Sequence, residues 1–173
     1  NMTNETLIKH TYINFPYYAI NSTIAERILN KEYYNRVLKT IPNNSKKSIF
    51  TIGYEGISLE NYLNKLVKNN IKLLVDVRKN PLSMKYGFSK TLLKRFCESL
   101  GIKYIHIPEV GINSNQRQTL ENKEDYDILF ENYKKTTLKE TSIKQQEILK
   151  LLNEYNRIAL TCFESNICQC HRL

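Results

Sequence analysis

From Ser48 onward the apolar residues alternate between a strand period and a helix period, and no other feature limits the fold as much. Ser48 to Gly53 is a short β-branched run closed by a glycine. Ser58 is placed to cap a helix running to Asn69, with Leu59, Tyr62, Leu63, Leu66 and Val67 at helical spacing. Residues 71–77 are almost continuously apolar, the pattern of a strand covered on both faces. After a loop holding Pro81 and Gly87, Ser89 caps a second helix with Leu92, Leu93, Phe96 and Leu100 as its stripe, and Gly101 stands where helices favour a glycine stop. Residues 102–107 read as a third strand, and the polar stretch 108–123 as a functional loop. Helical segments over 124–135 and 142–155 follow, the second using Ile143, Ile148, Leu151 and Leu152, and then a last strand over 157–163. The order β-α-β-α-β-α-α-β predicts an α/β domain: a mostly parallel open sheet of about four strands, with helices on both faces and right-handed crossovers. Strand order is not readable from this pattern.

Residues 1–47 have a different character. Tyr12, Phe15, Tyr17 and Tyr18 crowd around Pro16, and Asn21 or Ser22 can cap a helix running to about Lys39 before Pro42 and a polar linker. The expected division is an N-terminal helical and aromatic extension over 1–47 and an α/β domain over 48–173. Asn1 ahead of Met2 reads as a tag remnant. The aromatics either pack on the domain or on a second copy, or offer rings and basic residues to single-stranded nucleic acid.

Composition narrows the function class. The 41% hydrophobic and 25% charged content is that of a globular chain. No apolar run approaches the ~20 residues of a membrane span, and no signal peptide opens the chain. Cys97, Cys162, Cys168 and Cys170 therefore read as reduced thiols in a cytoplasmic protein. The net charge of +9 permits an anionic partner without naming one. Residues 1–47 carry seven basic against three acidic residues, and the remainder nineteen against fourteen, so the domain itself is mildly basic.

Ligands of open parallel sheets settle at the carboxyl ends of the strands, and four groups fall there. Gly53, Tyr54, Glu55 and Gly56 follow the first strand, and the glycines permit a tight turn, though they match neither phosphate-loop nor dinucleotide fingerprints. Asp76 and Arg78 end the second strand and project the same way, either as a structural ion pair or with Arg78 as a fork for phosphate or carboxylate. Cys162 and Glu164 end the last strand, with Cys168, Cys170, His171 and Arg172 just beyond. Zinc would find ligands among three thiols and His171, yet the spacing is unlike that of paired-cysteine knuckles, and no metal or cofactor is expected. Cys162 can act as a thiolate nucleophile near an arginine, or His171 and Glu164 can form an acid–base pair. Alternatively Cys162 is a small buried hydrophobe and Glu164 pairs with Arg172.

These residues resemble the bacterial and archaeal domain-of-unknown-function family 488. The resemblance rests on Thr51-Ile52-Gly53-Tyr54, on Asp76-Val77-Arg78 with Pro81 and Ser83, on Phe88-Ser89, and on Gly101-Ile102-Lys103-Tyr104. It closes with Cys162, Glu164, Cys170, His171 and Arg172. Two departures stand out. Val110-Gly111-Ile112 replaces the usual leucine-glycine-glycine, and the chain stops at Leu173 where members continue into another helix. The resemblance implies the α/β fold and marks the same strand-end residues, without implying a reaction. Two functions stay open. One is an enzyme-like pocket for a phosphate-bearing or other anionic ligand, such as a nucleotide or nucleic-acid end: Gly53, Tyr54, Asp76, Arg78, Cys170 and Arg172 would bind, and Cys162, Glu164 and His171 would react. The other is a non-catalytic nucleic-acid- or protein-binding module using the basic aromatic N-terminal segment.

Overall fold

The computed structural model describes residues 3–113, 116, 120, 123–166 and 170. The chain divides into two compact units, Asn1–Asn43 and Asn44–Leu173. Residues 44–47, expected to be linker, thus fall in the larger unit.

In the smaller unit, α1 (Asn4–Asn14) begins where the Thr3 hydroxyl accepts from Thr6 N. No residue of α1 is buried, so it lacks the apolar stripe that would reveal it in the sequence. A 3-10 turn over Pro16–Ala19 follows, then α2 (Ala25–Ile28) and α3 (Lys31–Thr40). The single helix expected from Asn21 or Ser22 to Lys39 is therefore broken. Leu29 is extended (φ −96°, ψ 147°), and the Asn30 side chain restarts the helix by accepting from Tyr33 N at 2.9 Å. Ala19, Ala25, Ile28, Leu29 and Val37 form the core, with Tyr12, Tyr33 and Tyr34 packed against it.

The larger unit is the expected α/β fold. Its strands are β1 (Ser48–Gly53), β2 (Leu73–Asp76), β3 (Lys103–His106) and β4 (Arg157–Cys162). They form one parallel sheet in the order β1-β4-β2-β3. Helices α4 (Leu59–Lys68) and α5 (Lys90–Ser99) follow β1 and β2. The return from β3 to β4 runs through α6 (Lys123–Lys135), α7 (Thr137–Glu140) and α8 (Ser142–Tyr155).

Strand alternation sorts the core into two faces. Leu74, Tyr104 and Ala159 pack with Tyr62 and Leu66 of α4 and Leu93 and Cys97 of α5. Leu73, Val75, Val77 and Ile158 pack on the other face with Ile148 of α8. A smaller cluster joins Ile112 to Leu129, Phe130 and Tyr133 of α6, where the Tyr133 hydroxyl donates to Val110 O at 2.6 Å. Among the described residues no helix is long and apolar enough to cross a membrane.

The expected boundaries hold with local differences. Ser58 caps α4 by accepting from Asn61 N, and Gly101 takes a positive φ of 73° after α5. Ser89 occupies the N-cap position of α5 without a capping hydrogen bond. Its hydroxyl instead donates to Ser83 O and accepts from Ser83 N, closing the preceding loop on itself.

Candidate functional site

Inserting β4 between β1 and β2 places three strand ends side by side. Gly53 closes β1 opposite Cys162 in the register. A Cβ on Gly53 would stand 1.8 Å from the Glu164 carbonyl oxygen, so only glycine lets the two backbones approach. Tyr54 N and Glu55 N both donate to Phe163 O, at 3.1 and 2.9 Å. Ser165 donates from its backbone N–H and its hydroxyl to one Glu55 carboxylate oxygen, at 3.1 and 3.2 Å. The turn after β1 thus fixes the backbone on both sides of Glu164.

Asp76, at the end of β2, is fully buried, and Arg78 is 5% exposed. Arg78 Nε donates to Asp76 Oδ1 at 2.8 Å, and Nη2 to Oδ2 at 2.5 Å. Nη1 donates to the Tyr54 hydroxyl at 3.1 Å and to Phe88 O at 2.8 Å. The Tyr104 hydroxyl reaches Asp76 Oδ2 from β3 at 2.5 Å. Burial alone would push the Arg78 pKa down, but its hydrogen bonds to Asp76 and the charge of that carboxylate outweigh this and hold it above the ordinary value. The guanidinium is also stacked over the Tyr54 ring (5.2 Å to the centroid), and Tyr54 stacks on Phe88 at 4.4 Å.

The loop after β2 is tied down by Lys85, whose ammonium donates to Tyr54 O at 2.8 Å and also to Ile57 O. Behind this loop, Gly111 leaves no room for a Cβ, which would sit 2.4 Å from Lys79 N. His106 bridges Arg78 O (2.9 Å from Nε2) and the Lys90 ammonium (3.1 Å from Nδ1).

The result is a cleft of about 530 Å³ at the carboxyl edge, lined among others by Tyr54, Arg78, Lys79, Lys85, Cys162 and Glu164. Four of the residues expected from the sequence line it: Tyr54, Arg78, Cys162 and Glu164. Gly53 instead lines a separate cleft with Phe50, Ile57 and Ser165, and Asp76 is the fully buried partner of Arg78. Cys170 is buried, and its sulfur, that of Cys162 and a carboxylate oxygen of Glu164 all lie within 4.8 Å of one another. That trio is a set of donors able to hold a metal, although the spacing along the chain argued against one. Cys168, His171 and Arg172 lie outside the described residues.

Lys79, Lys85, Tyr104 and His106 were not anticipated. Lys79 and Lys85 sit in a loop without periodicity. Tyr104 and His106 become partners of Asp76 and Arg78 only through the β2–β3 register, which pairs Asp76 with His106.

No curated protein and no solved structure matches the chain. A family model, described as domain of unknown function DUF488, matches residues 58–173, which covers every strand but β1. The chain belongs to the family defined by that domain of unknown function.

Proposed function

We propose that the cleft binds a phosphate-bearing ligand, a nucleotide or a nucleic-acid end, and that Cys162 and Glu164 face its reacting part. The observation that carries this reading is the convergence of Tyr54, Arg78, Lys79, Lys85, Cys162 and Glu164 around one opening at adjacent strand ends. Its volume falls within the ~300–1,000 Å³ of small-molecule sites. Arg78 spends four of its five N–H donors on Asp76, Tyr54 and Phe88, and Asp76 balances its charge, so it makes a fixed floor rather than a free fork. The contact to an anion then falls to Lys79, which is exposed, and to the hydrogen of Lys85 not given to Tyr54 O and Ile57 O. Leu82 and Met84 in the same lining, with Phe163, supply an apolar wall against which a base can lie.

The test is calorimetric titration of the full chain with inorganic phosphate and with a nucleoside monophosphate. Lys79→Ala should weaken both about tenfold, the share of one phosphate contact. A Phe163→Ala change should weaken only the nucleotide. No heat with either ligand removes this reading. Phe15 and Tyr18 of the smaller unit are also exposed, with ring centroids 6.0 Å apart. Oligonucleotide binding that survives Lys79→Ala and is lost in a Phe15→Ala/Tyr18→Ala variant would move the contact to that surface, as in a binding module.

A further inference from the structure

Two thiols and a carboxylate meet at the edge of the cleft. Cys162 ends β4, Glu164 lies two residues on past a bend at Phe163, and Cys170 lies against both. Cys162 and Cys170 are buried and Glu164 is half-buried. The segment that carries the first two is already held: Phe163 O by Tyr54 N and Glu55 N, and Ser165 by the Glu55 carboxylate. Two of the three donors are thus fixed before any ion binds.

Around a tetrahedral zinc ion, thiolates at ~2.3 Å and a carboxylate oxygen at ~2.0–2.2 Å stand about 3.5–3.8 Å apart. The donors here, within 4.8 Å of one another, need to close by no more than about 1.3 Å. Thiolate donors select zinc over magnesium or calcium, and three ligands among the described residues leave one position of a tetrahedral site. Cys162 and Glu164 both line the cleft.

We propose that Cys162, Glu164 and Cys170 bind a zinc ion whose remaining position faces the cleft. The open position rests on the reading of the cleft as the ligand site, whereas the ligand set stands on its own geometry.

The experiment uses the full chain, produced without a metal-affinity tag and purified without chelator. Elemental analysis should find stoichiometric zinc. After zinc is stripped under reducing conditions, cobalt(II) should give the visible bands of a tetrahedral site and thiolate-to-cobalt charge transfer in the near ultraviolet. Cys162→Ser and Cys170→Ser should each reduce the charge transfer and lower zinc affinity by more than the ~10–100-fold that loss of an outer partner costs. Glu164→Gln should weaken zinc while leaving the charge transfer in place, and Cys97→Ser should change neither. Circular dichroism separates loss of a ligand from loss of the fold.

No retained zinc and no charge transfer in the reduced protein overturns the site. So does charge transfer that Cys162→Ser leaves intact, or a disulfide between Cys162 and Cys170 found by peptide mapping, which would make the thiols a redox pair. Retained iron or copper overturns the zinc assignment. Phosphate titration of the metal-free protein keeps the two readings apart: binding there without zinc loading sinks only the metal site, and zinc loading without phosphate binding sinks only the anion reading.

Discussion

Arg78 closes on the Asp76 carboxylate with two parallel hydrogen bonds, Nε to Oδ1 at 2.8 Å and Nη2 to Oδ2 at 2.5 Å, while both side chains are buried beneath the cleft. Two residues apart at a strand end, they form a bidentate pair that fixes the floor of the site. The Tyr104 hydroxyl on Oδ2 and the Tyr54 hydroxyl and Phe88 carbonyl on Nη1 satisfy much of what remains.

Asp76→Ala should therefore be costly. It strands a buried guanidinium, a defect worth about 3–5 kcal/mol. Replacing both partners, as Asp76→Leu with Arg78→Met, should recover most of that loss, because an apolar pair leaves no orphaned charge. Urea unfolding of the three proteins decides it. A double variant no more stable than Asp76→Ala would show that the pair contributes more than mutual compensation.

Gly53→Ala should break the junction of β1 with the segment after β4. The added methyl meets the Glu164 carbonyl oxygen at 1.8 Å, and a backbone atom held by its neighbours' hydrogen bonds cannot swing aside as a side-chain end would. Overpacking of this kind costs about 1–3 kcal/mol or more. Gly56→Ala offers the contrast: nothing lies within 4 Å of its Cβ, and only the positive φ of 70° is strained, at about 1–2 kcal/mol. Gly53→Ala should also disturb cobalt binding at Cys162, and Gly56→Ala should not. Equal effects of the two substitutions would contradict the close approach.

The elements were legible wherever one face is buried. The runs at 48–53 and 71–77, the stripe through Tyr62 and Leu66, and the glycine after Leu100 each carry the period or the backbone demand of the element they form. The extension was less legible because α1 buries no residue fully and Asn30 interrupts a pattern that otherwise reads as one helix. The site was legible as strand ends and not as contacts. Period two announces that Asp76 and Arg78 point alike, but that Tyr104 would reach Asp76 depends on a parallel register set between segments 28 residues apart. The insertion of β4 beside β1 likewise leaves no local mark, although it is what sets Gly53 against Glu164.

Stability should fall on the alkaline side. Burial pushes the Cys97 thiol up to about 12, with the charges of Glu98 and Asp76 adding to the shift. Burial likewise raises the Tyr62 phenol and the Tyr104 phenol, the latter also through Asp76. In the unfolded chain these groups ionise near ~8.5 for the thiol and ~10 for the phenols. Folded values above unfolded ones mean that the neutral forms stabilise the native state fully below those unfolded values. That contribution is lost as pH rises toward the folded values. The urea midpoint of the wild type should drop between neutral pH and about pH 10, and a Cys97→Ala variant should drop less over the same interval. Parallel pH profiles for the two proteins would rule out this contribution from Cys97.

The larger unit should need residues 44–47. Arg157, buried at the start of β4, donates from Nη1 to Asn44 Oδ1 at 3.2 Å and to Lys46 O at 2.7 Å, while its Nε donates to Asn69 O. Asn44 O in turn accepts from the Asn70 side chain at 2.9 Å, near the turn into β2. A chain beginning at Ser48 loses three of these hydrogen bonds, whereas one beginning at Asn44 keeps them. Hydrogen bonds to a charged group contribute about 1.5–3 kcal/mol each, reduced where water can replace the missing partner. The chain starting at Asn44 should then be about 1–3 kcal/mol more stable than the one starting at Ser48. An Arg157→Met change should narrow that difference, since the shorter chain then has no stranded guanidinium. Thermal unfolding of the four proteins measures this, and equal midpoints for the two starting points would show that residues 44–47 contribute nothing to β4.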